Sequence, residues 1–205
     1  MNCITASCKI SHSSIYRNGQ QVFANQSANL PGFLLSAYQF LDNSYPKFYK
    51  MDNLSKLGWL AAEVLLKDEI HTRPYRPEET GLVLVNANSS LDTDLKYYET
   101  VKEIPSPALF VYTLPNIMIG EICIRNNFKG ESAFFISPAF DAGFIERTVN
   151  DLLNNNILQA CICGWVDLLE EDYTAVLYLV EKKEDGAFPP FIQSMIHKIF
   201  QGENE

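Results

Sequence analysis

Hydrophobic and polar positions along this chain repeat with two different periods. The clearest helical period covers residues 51–69, where apolar side chains recur every three or four residues and Asp52 precedes them as a capping residue. A second amphipathic helix is predicted over 141–156, with apolar and polar residues on opposite stripes. Shorter helices are predicted over 89–101, 115–127 and 189–200.

Short, nearly continuous apolar runs predict the strands, at 3–10, 81–87, 132–137, 157–166 and 173–181. A run such as GLVLVNA is typical of a strand that is buried on both faces, as in a parallel sheet covered by helices. The last two strands are joined by a short acidic turn, which implies antiparallel pairing. This order predicts an α/β fold with a mostly parallel five-stranded sheet, one antiparallel edge strand and helices on both faces.

Length and charge narrow the class of protein. A chain of 205 residues is long enough for one packed domain, so we expect residues 1–205 to form a single domain. The net charge of −9 argues against a nucleic-acid partner, because phosphate binding needs a basic surface. No apolar run approaches the about 20 residues of a membrane helix, and the N-terminus lacks the features of a signal peptide. These features predict a cytoplasmic protein.

The stretch GESAFFISPAFDAGF, residues 130–144, predicts a strand, a sharp turn and the start of a helix. A nucleophile is often placed at such a turn, because the unpaired N–H groups of a helix N-terminus favour negative charge. Here the turn holds Pro138, Ala139 and Phe140, none of which is a nucleophile. Asp141 is expected to cap the helix with its own carboxylate.

Three stretches of the sequence resemble the N-terminal half of the β-ketoacyl-acyl-carrier-protein synthases, in the thiolase-like superfamily. MDNLSKLGWLAAEVLL is similar to an early helix of those enzymes, and PSPALFVYTLPNIMIGEICIRNNFKGES to their segment with a proline-asparagine helix start and a closing lysine-glycine. FISPAFDAGF is similar to the strand and helix start that carry their active-site cysteine. The resemblance implies half of a thiolase-like fold, in which the helix at 141–156 would belong to a central layer between two sheets.

The resemblance sets Ala139, Phe140 and Gly143 on the alanine, cysteine and glycine of the family motif, with a register that is open by one residue. No cysteine lies between Cys123 and Cys161, and the two catalytic histidines belong to the half that has no counterpart here. We therefore expect no catalytic residue, with Phe140 as a degenerate nucleophile-equivalent position. The elbow or an acyl pocket would be formed by Phe134, Ser137, Ala139, Asp141, Gly143 and Phe144.

The remaining titratable residues give little sign of a site. His12, His71 and His197 stand in unrelated contexts, with His71 in a proline-rich loop as the best functional candidate. Cys161 and Cys163 share one face of a strand and are expected to pack in the core. Five cysteines form neither a disulfide framework nor a zinc motif, so no metal and no cofactor are expected. Ser137 lacks an evident base.

Three functions follow from this reading. The first is a non-catalytic ketosynthase-like protein that binds an acyl chain or supports a ketosynthase in fatty acid, polyene or polyketide synthesis. The second is an acyltransferase or condensing subunit completed by a partner chain. The third is a plain interaction module. The resemblance implies a homodimer, or a heterodimer with a full-length ketosynthase, through the strand around Ala133–Ser137. An acyl carrier protein is a further candidate partner, although like charges would oppose its direct docking.

Overall fold

The computed structural model describes residues 1–42, 44–67, 75–183 and 186–202. Its strands are β1 (Asn2–Ser11), β2 (Ser14–Arg17), β3 (Gln20–Ala24), β4 (Thr80–Asn86), β5 (Ser132–Ile136), β6 (Ala160–Leu169) and β7 (Asp172–Lys182). Its α-helices are α1 (Leu30–Phe40), α2 (Asn53–Leu66), α3 (Leu91–Val101), α4 (Pro107–Val111), α5 (Ile117–Asn126), α6 (Ala142–Asn154) and α7 (Gln193–Gln201). Two 3₁₀ turns, Pro46–Lys50 and Pro77–Glu79, precede α2 and β4.

These seven strands form one mixed sheet in the order β3-β2-β1-β7-β6-β4-β5. β4 runs parallel to both of its neighbours, β5 and β6. The other pairings are antiparallel: β6 with β7, β7 with β1, β1 with β2 and β2 with β3. The edge strands are therefore β3 and β5. The C-terminal ends of β4, β5 and β6 meet at one end of the sheet.

The prediction of a mostly parallel five-stranded sheet is wrong. The antiparallel pairing of β6 with β7 is confirmed, but β7 lies inside the sheet, since β1 pairs along its other side. β6 and β7 are both buried along most of their length although they run antiparallel. The sequences of β6 and β7 are continuously apolar because helices cover both faces of the sheet. Such coverage buries a strand whether its neighbours run parallel or antiparallel.

Helices cover both faces of the sheet, as the sequence predicts. On one face α1, α2 and α5 form a core that includes Trp59. On the other face α6 and α7 form a second core, which holds both Cys161 and Cys163. The two cysteines share one face of β6, and the residue between them, Ile162, faces the first core. In the part of the chain that the structure describes, no helix is long and apolar enough to cross a membrane.

The hydrophobic pattern does not reveal β2, β3 and α1. The side chains of β3 are mostly exposed, so no apolar run marks the strand. The signal present in the sequence is the dipeptide Asn18-Gly19, which joins β2 to β3 with φ of 50° and 78°. Asn-Gly is favoured in two-residue hairpin turns because both positions need positive φ. Asn29 marks the start of α1, where its side chain accepts a hydrogen bond from the Gly32 N–H.

Helix α2 is the main contact between the sheet and the outer helices on its face. Its start at the predicted cap is confirmed, because the Asp52 carboxylate accepts a hydrogen bond of 2.9 Å from the Ser55 N–H. The helix ends at Leu66, and the last predicted positions, 68 and 69, lie outside the described residues. α5 packs closely on it: a Cβ added at Gly58 would lie 2.1 Å from the Met118 sulfur.

Candidate functional site: the turn between β5 and α6

The turn after β5, residues 137–141, is called the elbow below. The Ser137 N–H donates to the Asn86 carbonyl at 2.9 Å, so the chain leaves the sheet beside the end of β4. The Ser137 hydroxyl donates to the Ala139 carbonyl at 2.9 Å. The Asp141 carboxylate accepts a hydrogen bond of 2.9 Å from the Phe144 N–H, which confirms it as the cap of α6. A fixed carboxylate therefore occupies the end of the helix that would favour another anion.

The side chain of Phe140 lies under helix α7. Its ring stacks on the ring of Phe200, with centroids 3.8 Å apart and planes within 4°. The ring of Trp165 lies nearly perpendicular to the ring of Phe140, with centroids 6.1 Å apart and an angle of 85° between the planes. Aromatic pairs at such separations add to the free energy gained by burial. Phe140 is thus part of an aromatic contact that joins the elbow, β6 and α7.

Only part of the predicted aromatic cluster comes together. Phe144 packs edge-on against Phe135, with ring centroids 5.0 Å apart, on the α6 side of the sheet. Phe140 joins the same core, whereas Phe134 packs against the core on the opposite face. The strand alternation separates Phe134 from Phe135, so Phe134 and Phe144 cannot line one pocket. Gly143 is buried near Arg147 and Gln193.

Helix α7 is held over the elbow by polar contacts at both ends and in the middle. The N–H of Gln193 donates to the Glu146 carboxylate of α6 at 2.7 Å. The buried Tyr178 hydroxyl donates to the Ile196 carbonyl at 2.8 Å. The Lys9 ammonium donates to the Phe200 carbonyl at 2.7 Å, near the C-terminal end of the helix, where a cation is favoured. These contacts fix Phe200 against Phe140.

One histidine reaches the elbow, which the sequence reasoning did not anticipate. The ring of His197 lies 6.4 Å from the ring of Phe140, because residues 193 to 201 fold back over the elbow as α7. His12 is in the turn between β1 and β2, with φ of 48°. His71, the loop candidate, lies outside the described residues. The long-range packing of a C-terminal helix leaves no local signal, so sequence spacing alone does not reveal the His197 contact.

Four of the five cysteines are poor candidates for a nucleophile. All are free thiols, and Cys3, Cys8, Cys161 and Cys163 are buried. Burial raises the pKa of the Cys161 thiol to about 12. It also raises the pKa of Cys8, Cys163 and the half-buried Cys123. A thiol with a raised pKa carries little thiolate at neutral pH, which disfavours nucleophilic attack by these four side chains.

The polar side chains at the same end of the sheet already serve the structure. Asp167, at the end of β6, accepts hydrogen bonds from the Ala87 and Asn88 N–H groups at 3.2 and 3.0 Å. The Asn86 amide oxygen accepts the Ser89 N–H at 2.9 Å. These contacts order the loop after β4. Among the described residues, no group of three or more His, Cys, Asp or Glu side chains is placed to hold a metal ion.

The sequence matches no protein-family model and no curated protein. Its fold, in contrast, matches solved ketosynthase structures. The ishigamide ketosynthase/chain length factor superposes with a TM-score of 0.68 and 18% identity, over 92% of this chain and 64% of that one. The chain thus spans less than two thirds of that protein's length. At this identity the match establishes the fold alone.

Two further structures agree. One is a ketosynthase (ApeO) in complex with its chain length factor (ApeC) from Xenorhabdus doucetiae, with a TM-score of 0.59, 12% identity and coverage of 98% of this chain and 92% of that one. The other is a type II polyketide acyl-carrier protein in complex with its ketosynthase bound to the hexaketide (AntDE:AntF), with a TM-score of 0.59, 12% identity and coverage of 89% and 63%. The chain has the fold of ketosynthase and chain length factor proteins.

Proposed function

We propose that this chain is a non-catalytic, ketosynthase-like subunit that supports a ketosynthase in fatty acid, polyene or polyketide synthesis. On this proposal residues 1–205 form one domain equivalent to the N-terminal half of a ketosynthase. Phe140 would occupy the position of the nucleophilic cysteine. The elbow would keep the backbone shape of the ketosynthase turn without its catalytic residue. The observation that carries the proposal is the stack of Phe140 on Phe200 within a ketosynthase-like fold.

The chemistry of the elbow supports this proposal. Thioester condensation needs a thiolate, and phenylalanine supplies neither a nucleophile nor a proton. The hydroxyl group of the elbow, on Ser137, donates to a backbone carbonyl. A serine nucleophile needs a base within hydrogen-bond reach, and no contact of Ser137 with a histidine or carboxylate is found among the described residues. A turn of this kind that lacks a nucleophile is more consistent with a partner protein than with an enzyme.

The edge of the sheet supports pairing with a ketosynthase. Among the described residues β5 pairs with β4 alone, so one side of its backbone has no neighbouring strand there. Such an edge is a template for a strand of another chain. Ile136, at the end of β5, is 61% exposed. We propose that β5 is the centre of a homodimer, or of a heterodimer with a full-length ketosynthase.

A stripe of exposed apolar residues on α3 and α4 supports the same proposal. Leu91, Leu95 and Tyr98 recur at the spacing of one helix face and remain exposed. Phe110 and Leu114, on and after α4, are exposed as well. Contiguous apolar surface is typical of interaction sites. Helix α3 follows the C-terminal end of β4, and Ile136 lies at the C-terminal end of the parallel strand β5, so both are at the same end of the sheet. This would let one partner contact both.

The outer surface of α6 and α7 bears on the alternative that a partner chain completes an active site. In a full ketosynthase a second half would stack on this layer. Here α7 covers the elbow, and the solvent side of the two helices carries Arg147, Asp151 and His197, all exposed. A layer that carries charged and polar side chains on its solvent side offers less apolar area for a second half to bury. This favours the accessory subunit over the condensing subunit.

Intact-protein mass spectrometry after incubation with an octanoyl-acyl-carrier protein tests the proposal. We expect no acyl adduct on the natural chain. The variant Phe140→Cys should be acylated slowly, because Phe200 still covers the position, and Phe140→Cys/Phe200→Ala should be acylated faster. Phe110→Cys is the matched control, an exposed phenylalanine away from the elbow. An adduct on the natural chain would sink the proposal and favour the acyltransferase.

Co-expression with a ketosynthase from the same genome separates the accessory subunit from a plain interaction module. A stable complex that gains or changes its product chain length when this chain is present supports the accessory role. A complex with an unrelated protein, and no effect on condensation, supports the interaction module.

The acylation experiment has its own contradicting outcome. If Phe110→Cys is acylated as fast as Phe140→Cys, the elbow does not position a thiol for reaction with the thioester.

A further inference from the structure

The turn between β2 and β3 consists of Asn18-Gly19, the only Asn-Gly pair in the sequence. Both residues are exposed, and their φ angles of 50° and 78° lie in the left-handed region that this hairpin turn requires. Glycine has no Cβ beside its backbone nitrogen, so that nitrogen is accessible to the side-chain amide of the residue before it. The pair that suits the turn is therefore also a pair with an intrinsic tendency to react with itself.

The reaction available to an Asn-Gly pair is deamidation. The backbone nitrogen of Gly19 forms a bond to the side-chain carbon Cγ of Asn18, and the bond from Cγ to Nδ2 breaks. The proton of the Gly19 nitrogen ends on the ammonia that leaves. Water then opens the resulting succinimide ring, which gives aspartate or isoaspartate according to the carbonyl carbon that it attacks. Water is the only co-reactant, and base speeds the first step because it removes the proton of the Gly19 nitrogen.

Strand β1 holds Asn18 by two hydrogen bonds to one residue. The Ser7 N–H donates to the side-chain oxygen of Asn18 at 2.8 Å, and the Asn18 N–H donates to the Ser7 carbonyl at 2.9 Å. Ser7 is only 8% exposed, although Asn18 itself lies at the surface. To bring Cγ to the Gly19 nitrogen, the Asn18 side chain must rotate and the turn must change its backbone angles. Ring closure therefore requires that Asn18 first separates from Ser7.

The position of the turn allows this separation without unfolding of the sheet. β2 and β3 are the last two strands at one edge, and β2 pairs with β1 over four residue pairs. Ile15 is fully buried and anchors the hairpin, whereas β3 is mostly exposed. Next to the turn, the Arg17 guanidinium donates to the Lys67 carbonyl at 2.6 Å, a contact at the surface. Segments with few buried contacts open at a lower free energy than the core.

We propose that Asn18 is a site of spontaneous deamidation, and that local separation of the β2–β3 turn from β1 controls its rate. Aspartate at this position keeps an oxygen that accepts the Ser7 N–H. Isoaspartate adds one carbon to the main chain before Gly19, which a two-residue turn does not accommodate. The isoaspartate form would leave the turn detached from β1. The site lies at the edge opposite β5, so the proposal does not depend on a ketosynthase partner.

Peptide mapping by mass spectrometry tests the proposal. The full chain is incubated at physiological temperature, folded in one sample and unfolded in guanidinium chloride in the other, at pH 7 and pH 9. We expect Asn18 to be the first asparagine that deamidates in the unfolded chain, and to react faster at pH 9. In the folded chain the same reaction should be slower by about tenfold or more, because two hydrogen bonds must open first.

Two variants of the folded chain identify the opening that limits the rate. Ile15→Ala should speed deamidation of Asn18 severalfold, because it removes the buried anchor of the hairpin. Ile145→Ala is the matched control, an equally buried isoleucine in the core under α6 and α7, and should leave the rate unchanged. Circular dichroism checks that both variants fold.

Hydrogen exchange in the natural chain gives a second measurement that needs no variant. The amide protons of Ser7 and Asn18 are released by the same opening, so their protection should equal the slowing of deamidation in the folded chain. The proposal is overturned if another asparagine reacts first in the unfolded chain, or if folding does not slow the reaction. It is also overturned if the two protections differ from the slowing, or if Ile15→Ala and Ile145→Ala have equal effects on the rate.

Discussion

At the scale of single residues, close packing between α2 and α5 depends on Gly58. A Cβ at this position would lie 2.1 Å from the Met118 sulfur, and Met118 is itself buried. We expect Gly58→Ala to lower the free energy of unfolding by about 1–3 kcal/mol, as other overpacked cores do. Chemical denaturation measures the change.

Gly120 on α5 is the matched control for Gly58. A Cβ there would meet no atom within 4 Å. Gly120→Ala should therefore raise stability by about 0.5–1 kcal/mol, because alanine loses less backbone entropy in a helix. If both substitutions stabilise the protein, Met118 moves aside freely and the interface of α2 with α5 is looser than its geometry indicates.

The contribution of Asp52, the capping residue of α2, to the free energy of unfolding depends on pH. Burial raises the pKa of this carboxyl, although hydrogen bonds from Ser55 and Thr93 act to lower it. The folded state then holds the proton more tightly than the unfolded state, whose pKa is about 3.9. The contribution of Asp52 to stability is fully present below that pH and is lost as pH rises through the folded pKa.

The variant Asp52→Asn tests this dependence, because asparagine also caps helices but does not titrate. Urea unfolding of both proteins at pH 3.5, 5 and 7 gives the comparison. We expect the free energy of unfolding of the variant to improve relative to the natural protein as pH rises. A difference that stays constant with pH would mean that Asp52 has the same pKa in both states.

At the scale of elements, local signals were sufficient for helices that begin with a capping side chain. Asp52 and Asp141 each accept a backbone N–H at 2.9 Å, where the sequence places the starts of α2 and α6. The order of the strands in the sheet could not be predicted from such local signals. Whether β7 lies inside the sheet depends on pairing with β1, about 170 residues away in sequence along the whole register. The apolar pattern of β7 indicates that both of its faces are buried, but it does not indicate that β1 is its neighbour.

The candidate site likewise has one part that the local sequence predicts and another part that it does not. The strand, the turn and the cap of the elbow follow from residues 132–144 alone. The cover over Phe140 does not, because Phe200 reaches it from the other end of the chain. Contacts of this kind follow from the packing of elements that are distant in sequence, and a single sequence shows no local sign of them.

The edge strand β5 gives a prediction at the element scale. If β5 pairs with a second chain, a charge at its exposed end should oppose assembly. We expect Ile136→Lys to convert the protein, or its complex with a ketosynthase, to a monomer in multi-angle light scattering. Ile157→Lys is the matched control, because Ile157 is similarly exposed but lies in the connection from α6 to β6. Equal loss of assembly in both variants, or in neither, would contradict pairing through β5.

At the scale of the whole molecule, the sheet separates two cores of different construction. The core under α1, α2 and α5 is the larger and includes most of α2. The core under α6 and α7 is smaller, and one of its two helices comes from the end of the chain. Besides the core contacts of Ile196, α7 has one aromatic stack and three polar contacts with separate elements. A nine-residue helix with one fully buried side chain, Ile196, can open while the rest of the fold stays folded.

Phe200→Ala tests this division of the molecule. Removal of the ring leaves Phe140 without its stacking partner, and we expect a loss of about 2–4 kcal/mol in the stability of the α7 side, within the range of phenylalanine truncations. Hydrogen exchange should quicken at residues 140–145 and 193–201, while α2 and β4 keep their protection. Phe110→Ala, an exposed residue on α4, should change neither region. Uniformly faster exchange in Phe200→Ala, including α2, would mean that the two cores unfold as one unit and that α7 is no separate cover of the elbow.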